Sequence, residues 1–443
     1  MLRTLFVFGI IAVGGVYMFL GPFYGLLFYL WYAYFRPDFW LWDPGLVSAL
    51  NLSLVIGTVL VVWSLPSLRN FRVTKLVALI LMFLAQSVLS LVMAEHFDWS
   101  LPFWIEFLKV IIITLLITFL VQDRRQFRTV LLVISLSLGL EAAKQGWAQL
   151  VLNPGAANTN PHPVLGDNNG VAVGVLMLVP ITVALAQTAT RAWERYFHRF
   201  FVVGLVYRAI STYSRGGFLT AGAVGLISLW RSPHKIRVLL GIAVLSGIVV
   251  QVMPAQFWNR MNTLTESADD QDESAKGRMY FWQVATRMAD AKPLYGVGFN
   301  GYRPSFAAYD ISDEAWGDDR AVHSVWFGVV SEMGYPGLFL LVAILGTSLH
   351  TCRRVRLSTK GRADLADLRA YAGALQASFV AYIVGMTFLN GQYAEMLWHF
   401  VGLTVALDRV CTAALGEARA PAAACPPPHL VPASAMASNW RPA

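Results

Sequence analysis

Long apolar runs separated by short polar segments dominate this chain of 443 residues. A helix needs about 20 apolar residues to cross the roughly 30 Å of hydrocarbon in a bilayer. Runs near that length are 4–20, 22–36, 46–65, 74–94, 103–121, 128–150, 169–188, 198–212, 216–230, 236–253, 324–350, 370–389 and 394–412. The pattern predicts an all-α, polytopic transmembrane protein with about 12 or 13 helical spans.

One long polar interruption divides the chain. We predict an aromatic-rich N-terminal transmembrane region at 1–121, a transmembrane core at 122–253, a loop with short amphipathic helices at 254–322, and C-terminal transmembrane helices at 323–413. Residues 414–443, rich in Ala and Pro, are predicted to form a disordered cytoplasmic tail. The chemistry is expected in the 254–322 loop.

Composition supports the membrane class. Apolar residues make up 56% of the chain and charged residues 14%, and the mean hydropathy is +0.55, which is outside the usual range of soluble proteins. The three cysteines, Cys352, Cys411 and Cys425, fall in segments predicted to be cytoplasmic. They therefore predict neither a periplasmic disulfide nor a zinc cluster.

Basic residues predict the orientation, because positively charged short loops resist translocation. Lys and Arg concentrate in the loops near 69–75, 124–128, 191–199, 231–237 and 353–369, while the loops at 95–102, 153–168 and 390–395 contain none. The basic loops are predicted to be cytoplasmic. The 254–322 loop, the Ser214-Arg215 turn and the 162–169 segment then lie on the opposite side, in a bacterium the periplasmic side of the inner membrane, where they can form one site. The net charge of +8 is explained by topology, so no nucleic-acid partner is predicted.

The first three apolar runs conflict with this alternation. If Arg3 is cytoplasmic, there is one crossing too many before Arg69. Pro22 and the aromatic residues of 29–42 favour an interfacial element, because Trp and Tyr rings prefer the headgroup region. An N-terminus on the outer side and a cleaved signal peptide are the alternatives.

Tyr213-Ser214-Arg215-Gly216-Gly217 separates two apolar runs on the predicted outer side. An arginine near membrane depth is costly and usually faces a partner or a wet cavity. One interpretation is that Arg215 only extends its charge to the interface. The other is that its planar guanidinium holds a diphosphate through paired hydrogen bonds, which lysine cannot reproduce.

The segment from Gly277 to Met288 has helical periodicity in the long loop. It places Phe281, Ala285 and Met288 on one face, which predicts an amphipathic helix lying on the membrane. Arg278 would then be in the first turn, where free backbone N–H groups help to bind a phosphate. The alternative is that Arg278 is a solvated surface residue.

Further along the loop, glycines at 296, 298 and 301 predict a turn-rich return, with Arg303 as another substrate contact. The acidic run 266–273 and the pair Asp318-Asp319 could bind a hard cation, but their spacing matches no known calcium loop. We therefore predict chemistry that needs no metal and no other cofactor.

His323 stands where the loop meets the next apolar run. Histidine titrates near neutrality, so it can take a proton from an attacking hydroxyl, although a lone histidine is more often structural. His162 is a second candidate. Asn168 and Glu332 join Tyr213, Ser214 and Arg303 as predicted substrate-binding residues.

Together, these segments resemble the O-antigen ligase and polymerase superfamily of membrane glycosyltransferases. The resemblance covers about residues 165–345 and rests on four pieces: 213–217, 277–282, 293–298, and His323 followed by 332–337. The N-terminal region ending in Arg36-Pro37-Asp38 resembles the branch of O-glycosylation ligases associated with exosortase systems.

The resemblance implies that a glycan passes from an undecaprenyl-diphosphate carrier to an acceptor hydroxyl of a protein, lipid or polysaccharide. It implies that Arg215 and Arg278 hold the diphosphate and that His323 is the base, with inversion at the anomeric carbon. The family often has Asn after this histidine, whereas this chain has Ser324. A polymerase is an alternative with the same donor, and a lipid or solute transporter is an alternative of another class, which would require internal repeats and charged residues inside the spans.

Overall fold

The computed structural model describes residues 2–41, 51–232, 234–262, 273–312 and 315–417, which form helices joined by short loops. The helices are α1 Leu2–Met18, α2 Pro22–Phe35, α3 Leu52–Ser64, α4 Lys75–Val92, α5 Phe97–Leu120, α6 Arg124–Leu152, α7 Asn168–Gln187, α8 Ala192–Ile210, α9 Arg215–Arg231, α10 Lys235–Val252, α11 Ala255–Asn262, α12 Glu273–Ala291, α13 Tyr302–Tyr309, α14 Val325–Ser358, α15 Ala366–Gly385 and α16 Glu395–Glu417. Every predicted apolar run corresponds to a helix, so the all-α prediction is confirmed.

The length and hydropathy of the helices support a multi-pass membrane protein. Within the described residues, eight helical segments are long and apolar enough to cross a membrane. The helices α1, α2, α8, α9 and α16 also match predicted runs but are not among these eight. The 14 residues of α2, for example, extend only about 21 Å at 1.5 Å per residue.

The loops predicted to be cytoplasmic lie together at one end of the helices. The Arg124 guanidinium donates to the carbonyl oxygen of Asp364 at 2.8 Å, and Arg128 forms an ion pair with Glu194. At the other end, the backbone N–H of Glu95 donates to the carbonyl of Val297 at 3.0 Å. The two groups of loops predicted from charge are therefore separated in the fold.

The N-terminal helices form a hairpin in which α2 packs into the protein, whereas much of α1 is exposed, with Leu5 59% and Phe6 60% exposed. Leu26, Leu30 and Tyr34 of α2 are fully buried, so the interfacial element predicted here is wrong. Val7, near the start of α1, packs with Leu41, which follows α2. This geometry favours the alternative in which the chain begins on the side opposite the basic loops, which also restores the alternation of the spans.

The α14 helix is broken at Gly334, whose φ of 68° and ψ of −176° are not helical. The segment 293–298 packs against this break. The backbone N–H of Tyr335 donates to the carbonyl of Pro293 at 2.9 Å, and that of Val297 donates to the carbonyl of Ser331 at 2.8 Å. Two glycine-containing motifs that are far apart in the sequence thus form one structural unit.

The polar interruption has a small apolar core of its own. Phe281, Ala285 and Met288 of α12 are buried in a cluster with Val297 and Phe306. The predicted amphipathic helix is present, but the prediction that its apolar face lies on the membrane is wrong, because that face packs inside the protein. Residues 266–272 of the acidic run and residues 418–443 of the tail lie outside the described part of the chain.

Candidate functional site

His323 lines a cavity of about 450 Å³ at the end of the protein opposite the basic loops. Asp167, Asn300, Gln392 and Glu395 line the same cavity. The His323 backbone is in the left-handed region, with φ of 47°, immediately before α14. Such a conformation is uncommon for a residue with a side chain and is frequent at functional sites.

The α12 helix presents Arg278 to the His323 segment. Trp282, four residues after Arg278 and so on the same helical face, donates its indole N–H to the carbonyl of Val322 at 3.0 Å. Its ring also stacks on Phe327, with ring centroids 5.1 Å apart. These contacts on both sides of His323 fix the face of α12 that carries Arg278.

The surroundings of His323 favour its neutral form. Burial lowers the pKa of the imidazole below its ordinary value, the charge of Arg278 lowers it further, and the carboxylate of Asp167 opposes them. Because the ordinary pKa is about 6.5, the imidazole is largely neutral at pH 7. A neutral imidazole next to a guanidinium can accept a proton from a hydroxyl.

The prediction that Arg278 lies in the first turn of its helix is wrong. The α12 helix begins at Glu273, so the backbone N–H groups of its start are more than a turn away from Arg278. Any anion held by this arginine is therefore held by the side chain and not by the helix terminus.

Arg215 is the first residue of α9 and lies two residues after Tyr213, whose backbone is left-handed with φ of 57°. The amide of Asn168 donates to the carbonyl of Thr212 at 3.1 Å, which ties this turn to the start of α7. Asp167 and Gly170, at the same end of α7, line the His323 cavity. The turn that carries Arg215 is thus attached to a wall of the cavity.

Tyr213, Ser214 and Asn168 have structural contacts. The Tyr213 hydroxyl donates to the carbonyl of Gly155, and the Ser214 hydroxyl caps α9 by accepting from the backbone N–H of Gly217 at 3.1 Å. Together with the Asn168 amide, these groups position Arg215. Their predicted substrate contacts remain predictions.

Glu332 is buried, with 3% of its surface exposed. Its carboxylate accepts from the Gln392 amide at 3.0 Å and from the Tyr393 hydroxyl at 2.7 Å, and from the backbone N–H groups of Asn300 and Tyr302. Four donors leave little capacity for a substrate. Glu332 therefore holds three cavity-lining residues in place: Asn300, Gln392 and Tyr393.

Arg303 is engaged elsewhere. Its guanidinium forms a two-point ion pair with the carboxylate of Asp319, and both side chains are 57% exposed. The acidic pair at 318–319, considered as a cation site from the sequence, thus supplies a counter-charge to this arginine. In this arrangement Arg303 does not offer its guanidinium to a substrate.

His162, the second candidate base, lies in a different cavity together with Glu141 and Lys144. Its ring Nδ1 accepts from the backbone N–H of Val164 at 3.2 Å. Burial lowers its pKa to about 4, with Glu141 opposing and Arg208 adding to the effect. These contacts explain His162 as part of the 162–166 turn.

Several cavity residues were not predicted as site residues. Asn390, Gln392 and Glu395 line the cavity and belong to a short polar segment between two apolar runs, whose lack of Lys and Arg predicts only its side of the membrane. The clustering of amide and carboxylate side chains in this segment is the sequence feature that could have indicated a site. Within the described ranges, no group of three or more His, Cys, Asp or Glu residues is arranged to hold a metal ion.

Two family models match the chain. Residues 200–342, which include Arg215, Arg278 and His323, match the model described as O-antigen ligase. Residues 2–196 match a model described as a family of unknown function, DUF5935. A search of curated proteins gives no match.

Proposed function

We propose that this protein, which belongs to the O-antigen ligase superfamily through residues 200–342, transfers a glycan from an undecaprenyl-diphosphate carrier to an acceptor hydroxyl. The superfamily consists of membrane glycosyltransferases, and the transporter alternative is therefore not retained. The donor, the acceptor and the stereochemistry below are our inferences. The observation that carries them is the proximity of Arg278 to His323, whose side chain lines a cavity.

The proposed reaction needs one base and a stabilised leaving group. The acceptor hydroxyl gives its proton to the His323 imidazole while its oxygen forms a bond to the anomeric carbon of the glycan. The bond from that carbon to the carrier diphosphate breaks at the same time, so the configuration inverts. His323 later releases its proton to solvent.

Arg215 and Arg278 would balance the charge that develops on the departing diphosphate. Guanidinium groups bind phosphate oxygens through paired, charge-assisted hydrogen bonds, and such fixed charges are a major source of catalysis. We infer that a divalent cation is not required. Transfer by the purified protein in excess EDTA supports this inference, whereas activity that is lost in EDTA and restored by a divalent cation contradicts it.

We infer that the reaction takes place at the periplasmic face of the bacterial inner membrane. The basic loops resist translocation, and His323 belongs to the end of the protein opposite those loops. A cysteine introduced at exposed Leu294 should react with a membrane-impermeant thiol reagent in intact cells. Labelling only after the inner membrane is disrupted would reverse this orientation.

The central experiment replaces His323 by Ala and measures glycan transfer in isolated membranes. We expect transfer to fall below detection while the amount of membrane-inserted protein stays the same. His96→Ala is the matched control, because His96 is exposed and on the same predicted side. Retained transfer in His323→Ala would remove the role of His323 as base.

A polymerase of the same superfamily uses the same donor and differs only in its acceptor. Deleting the gene in its host separates the two functions. Accumulation of long carrier-linked glycans would indicate a ligase, whereas accumulation of single repeat units would indicate a polymerase.

A further inference from the structure

We propose that a second cavity, at the end of the protein that carries the basic loops, binds the phosphate of an anionic membrane phospholipid. This lipid cavity has a volume of about 640 Å³ and lies between the start of α4, the second half of α14 and α16. It is at the end opposite His323, so it is separate from the site of the proposed transfer reaction. The proposal does not depend on that reaction.

The charged groups of the lipid cavity leave one positive charge in excess. Lys75 of α4 and Arg354 of α14 are cationic, and Asp408 of α16 is the one carboxylate among the described residues that line it. Asp408 pairs with Arg354 at 2.7 Å. Lys75 forms no ion pair with another described residue, whereas Arg128 and Arg362 at the same end both have carboxylate partners.

The chain offers Lys75 no other nearby carboxylate in sequence. Residues 418–443, which follow α16 at this end, contain neither Asp nor Glu. Positive charge on this side of a membrane protein is expected from topology alone. A lysine that faces a cavity without a counter-charge goes beyond that expectation and indicates an anion from outside the chain.

Thr351 adds an unused hydroxyl to the same wall. Only 8% of this residue is exposed, and its hydroxyl forms no hydrogen bond with another described residue. Serine and threonine in helices often bond to the carbonyl four residues earlier, as Ser348 does. The Thr351 oxygen is not sealed off from solvent, so it can donate to a ligand. Thr347 and His350 also line the lipid cavity and supply further donors.

These groups suit a phosphate. Ammonium, hydroxyl and imidazole N–H groups all donate to phosphate oxygens, and the charge-assisted bonds among them are strong. The lipid cavity also meets Lys75 and Leu76 in the first turn of α4. The backbone N–H groups there have no partner within the helix, and the helix dipole favours an anion. A phosphodiester, with one negative charge, balances the one excess positive charge.

The neighbouring surface indicates a lipid rather than a soluble phosphate. On α14, the exposed side chains of Phe339 and Val342 precede Gly346 in steps of three or four residues, so they lie on the side of the helix that continues to the lipid cavity. On α4, Met82 is 54% exposed and lies about two turns after Lys75 on the same face. Both helices are long and apolar enough to span a membrane. A lipid with its phosphate in the cavity therefore has apolar side chains beside its acyl chains.

The rest of the headgroup should be uncharged. The ammonium of phosphatidylethanolamine needs a carboxylate, and Asp408 is already paired with Arg354. The glycerol of phosphatidylglycerol has hydroxyls that Thr347 and Thr351 can bind. Basic pockets between transmembrane helices on the cytoplasmic side bind anionic headgroups in other membrane proteins. The ligand class is therefore a phospholipid of the phosphatidylglycerol type.

The first test measures lipid binding to the full-length protein by native mass spectrometry in a detergent without phosphate. The probes are phosphatidylglycerol, phosphatidylethanolamine and phosphatidylcholine with identical acyl chains, and glycerol phosphate as the soluble headgroup. Phosphatidylglycerol should bind about tenfold more tightly than the other two lipids, and an equal concentration of glycerol phosphate should not displace it. Equal binding of the three lipids, a preference for phosphatidylethanolamine, or displacement by glycerol phosphate would overturn the proposal.

The second test compares Lys75→Gln with Lys235→Gln. Lys235 is the first residue of α10, as Lys75 is of α4, and it is exposed but does not line the lipid cavity. Loss of a hydrogen bond from a charged group should weaken phosphatidylglycerol binding about tenfold in Lys75→Gln, with phosphatidylcholine binding unchanged. Lys235→Gln should bind both lipids like the native protein. Equal losses in the two variants would show that general positive charge, and not this cavity, attracts the lipid.

The third test examines the hydroxyl of Thr351. Thr351→Val keeps the shape of the side chain and should weaken phosphatidylglycerol binding about fivefold, the effect of one neutral hydrogen bond. Thr351→Ser keeps the hydroxyl and should bind like the native protein. If Thr351→Val binds normally, or if both variants lose the same affinity, the hydroxyl does not contact the lipid and the assignment of this wall is wrong.

Discussion

The carbonyl oxygen of Pro293 lies 2.4 Å from the position that a Cβ atom would occupy on Gly334. This contact joins the break in α14 to the 293–298 segment, and the hydrogen bond from Tyr335 to Pro293 reinforces it. The break lies two residues after Glu332, whose carboxylate holds three residues that line the His323 cavity. The shape of the cavity therefore depends on a backbone contact outside it.

Gly334→Ala should strongly destabilise the protein. A side chain at φ of 68° and ψ of −176° is strained, and the new methyl group would collide with Pro293. Together, these effects should lower the free energy of unfolding by roughly 2 to 4 kcal/mol, measured as a lower temperature of unfolding in nanodiscs. Gly346→Ala in the same helix is the control, because a Cβ there meets nothing within 4 Å and alanine favours helix. Equal effects of the two variants would contradict this account of the break.

Glu332→Ala should lower the free energy of unfolding more than the loss of any one of the groups that donate a hydrogen bond to Glu332. The Gln392 amide and the Tyr393 hydroxyl would be left buried without an acceptor. We therefore expect the free energy of unfolding to fall by roughly 3 to 5 kcal/mol. Tyr393→Phe removes a single hydrogen bond and should cost about 1 to 2 kcal/mol. Thermal unfolding of the two variants measures the difference. If Tyr393→Phe is as harmful as Glu332→Ala, Glu332 does not organise this network.

The pH dependence of transfer should follow His323. The base must be neutral, so kcat/KM should fall at low pH as the imidazole takes a proton. Burial and Arg278 lower the pKa of this group, so the midpoint of the fall should lie below about 6.5. Asp167 acts in the opposite direction, so Asp167→Asn, which keeps the helix cap, should move the midpoint to still lower pH. A midpoint above 6.5, or a shift upward in Asp167→Asn, would contradict this assignment.

Arg215→Lys should reduce transfer about a hundredfold if its guanidinium stabilises the leaving diphosphate, because a point charge does not reproduce the paired hydrogen bonds. Arg237→Lys on α10 is the control, since Arg237 is exposed and near the opposite end of the protein. Rates are measured with equal amounts of inserted protein. Normal transfer by Arg215→Lys would favour the interpretation of Arg215 as an interfacial anchor.

Arg303→Ala should change transfer less than threefold, because its guanidinium is already paired with Asp319. Exposed ion pairs contribute about 0 to 1 kcal/mol, so the unfolding temperature should also change little. Asp319→Asn serves as the matched variant. If Arg303→Ala abolishes transfer while Asp319→Asn does not, Arg303 binds substrate and its ion pair opens during the reaction.

The site could be predicted only in part from the sequence. Arg215, Arg278 and His323 stand in local motifs, so their identification did not require the fold. Glu332 and Arg303 looked equally suitable as substrate contacts, but their partners, Gln392, Tyr393 and Asp319, are specified by tertiary contacts. The inward orientation of α12 was missed for a similar reason, since an apolar face has the same periodicity whether it meets lipid or Val297 and Phe306.

The sequence by itself determined the all-α, multi-pass class and the superfamily, because apolar runs of spanning length and short motifs are properties of consecutive residues. Only the tertiary structure decided that α2 is packed inside the protein and that Asp167, His323 and Glu395 line one cavity. These residues are separated by long stretches of chain. They meet because helices pack side by side and α14 breaks at Gly334, and no local pattern encodes such contacts.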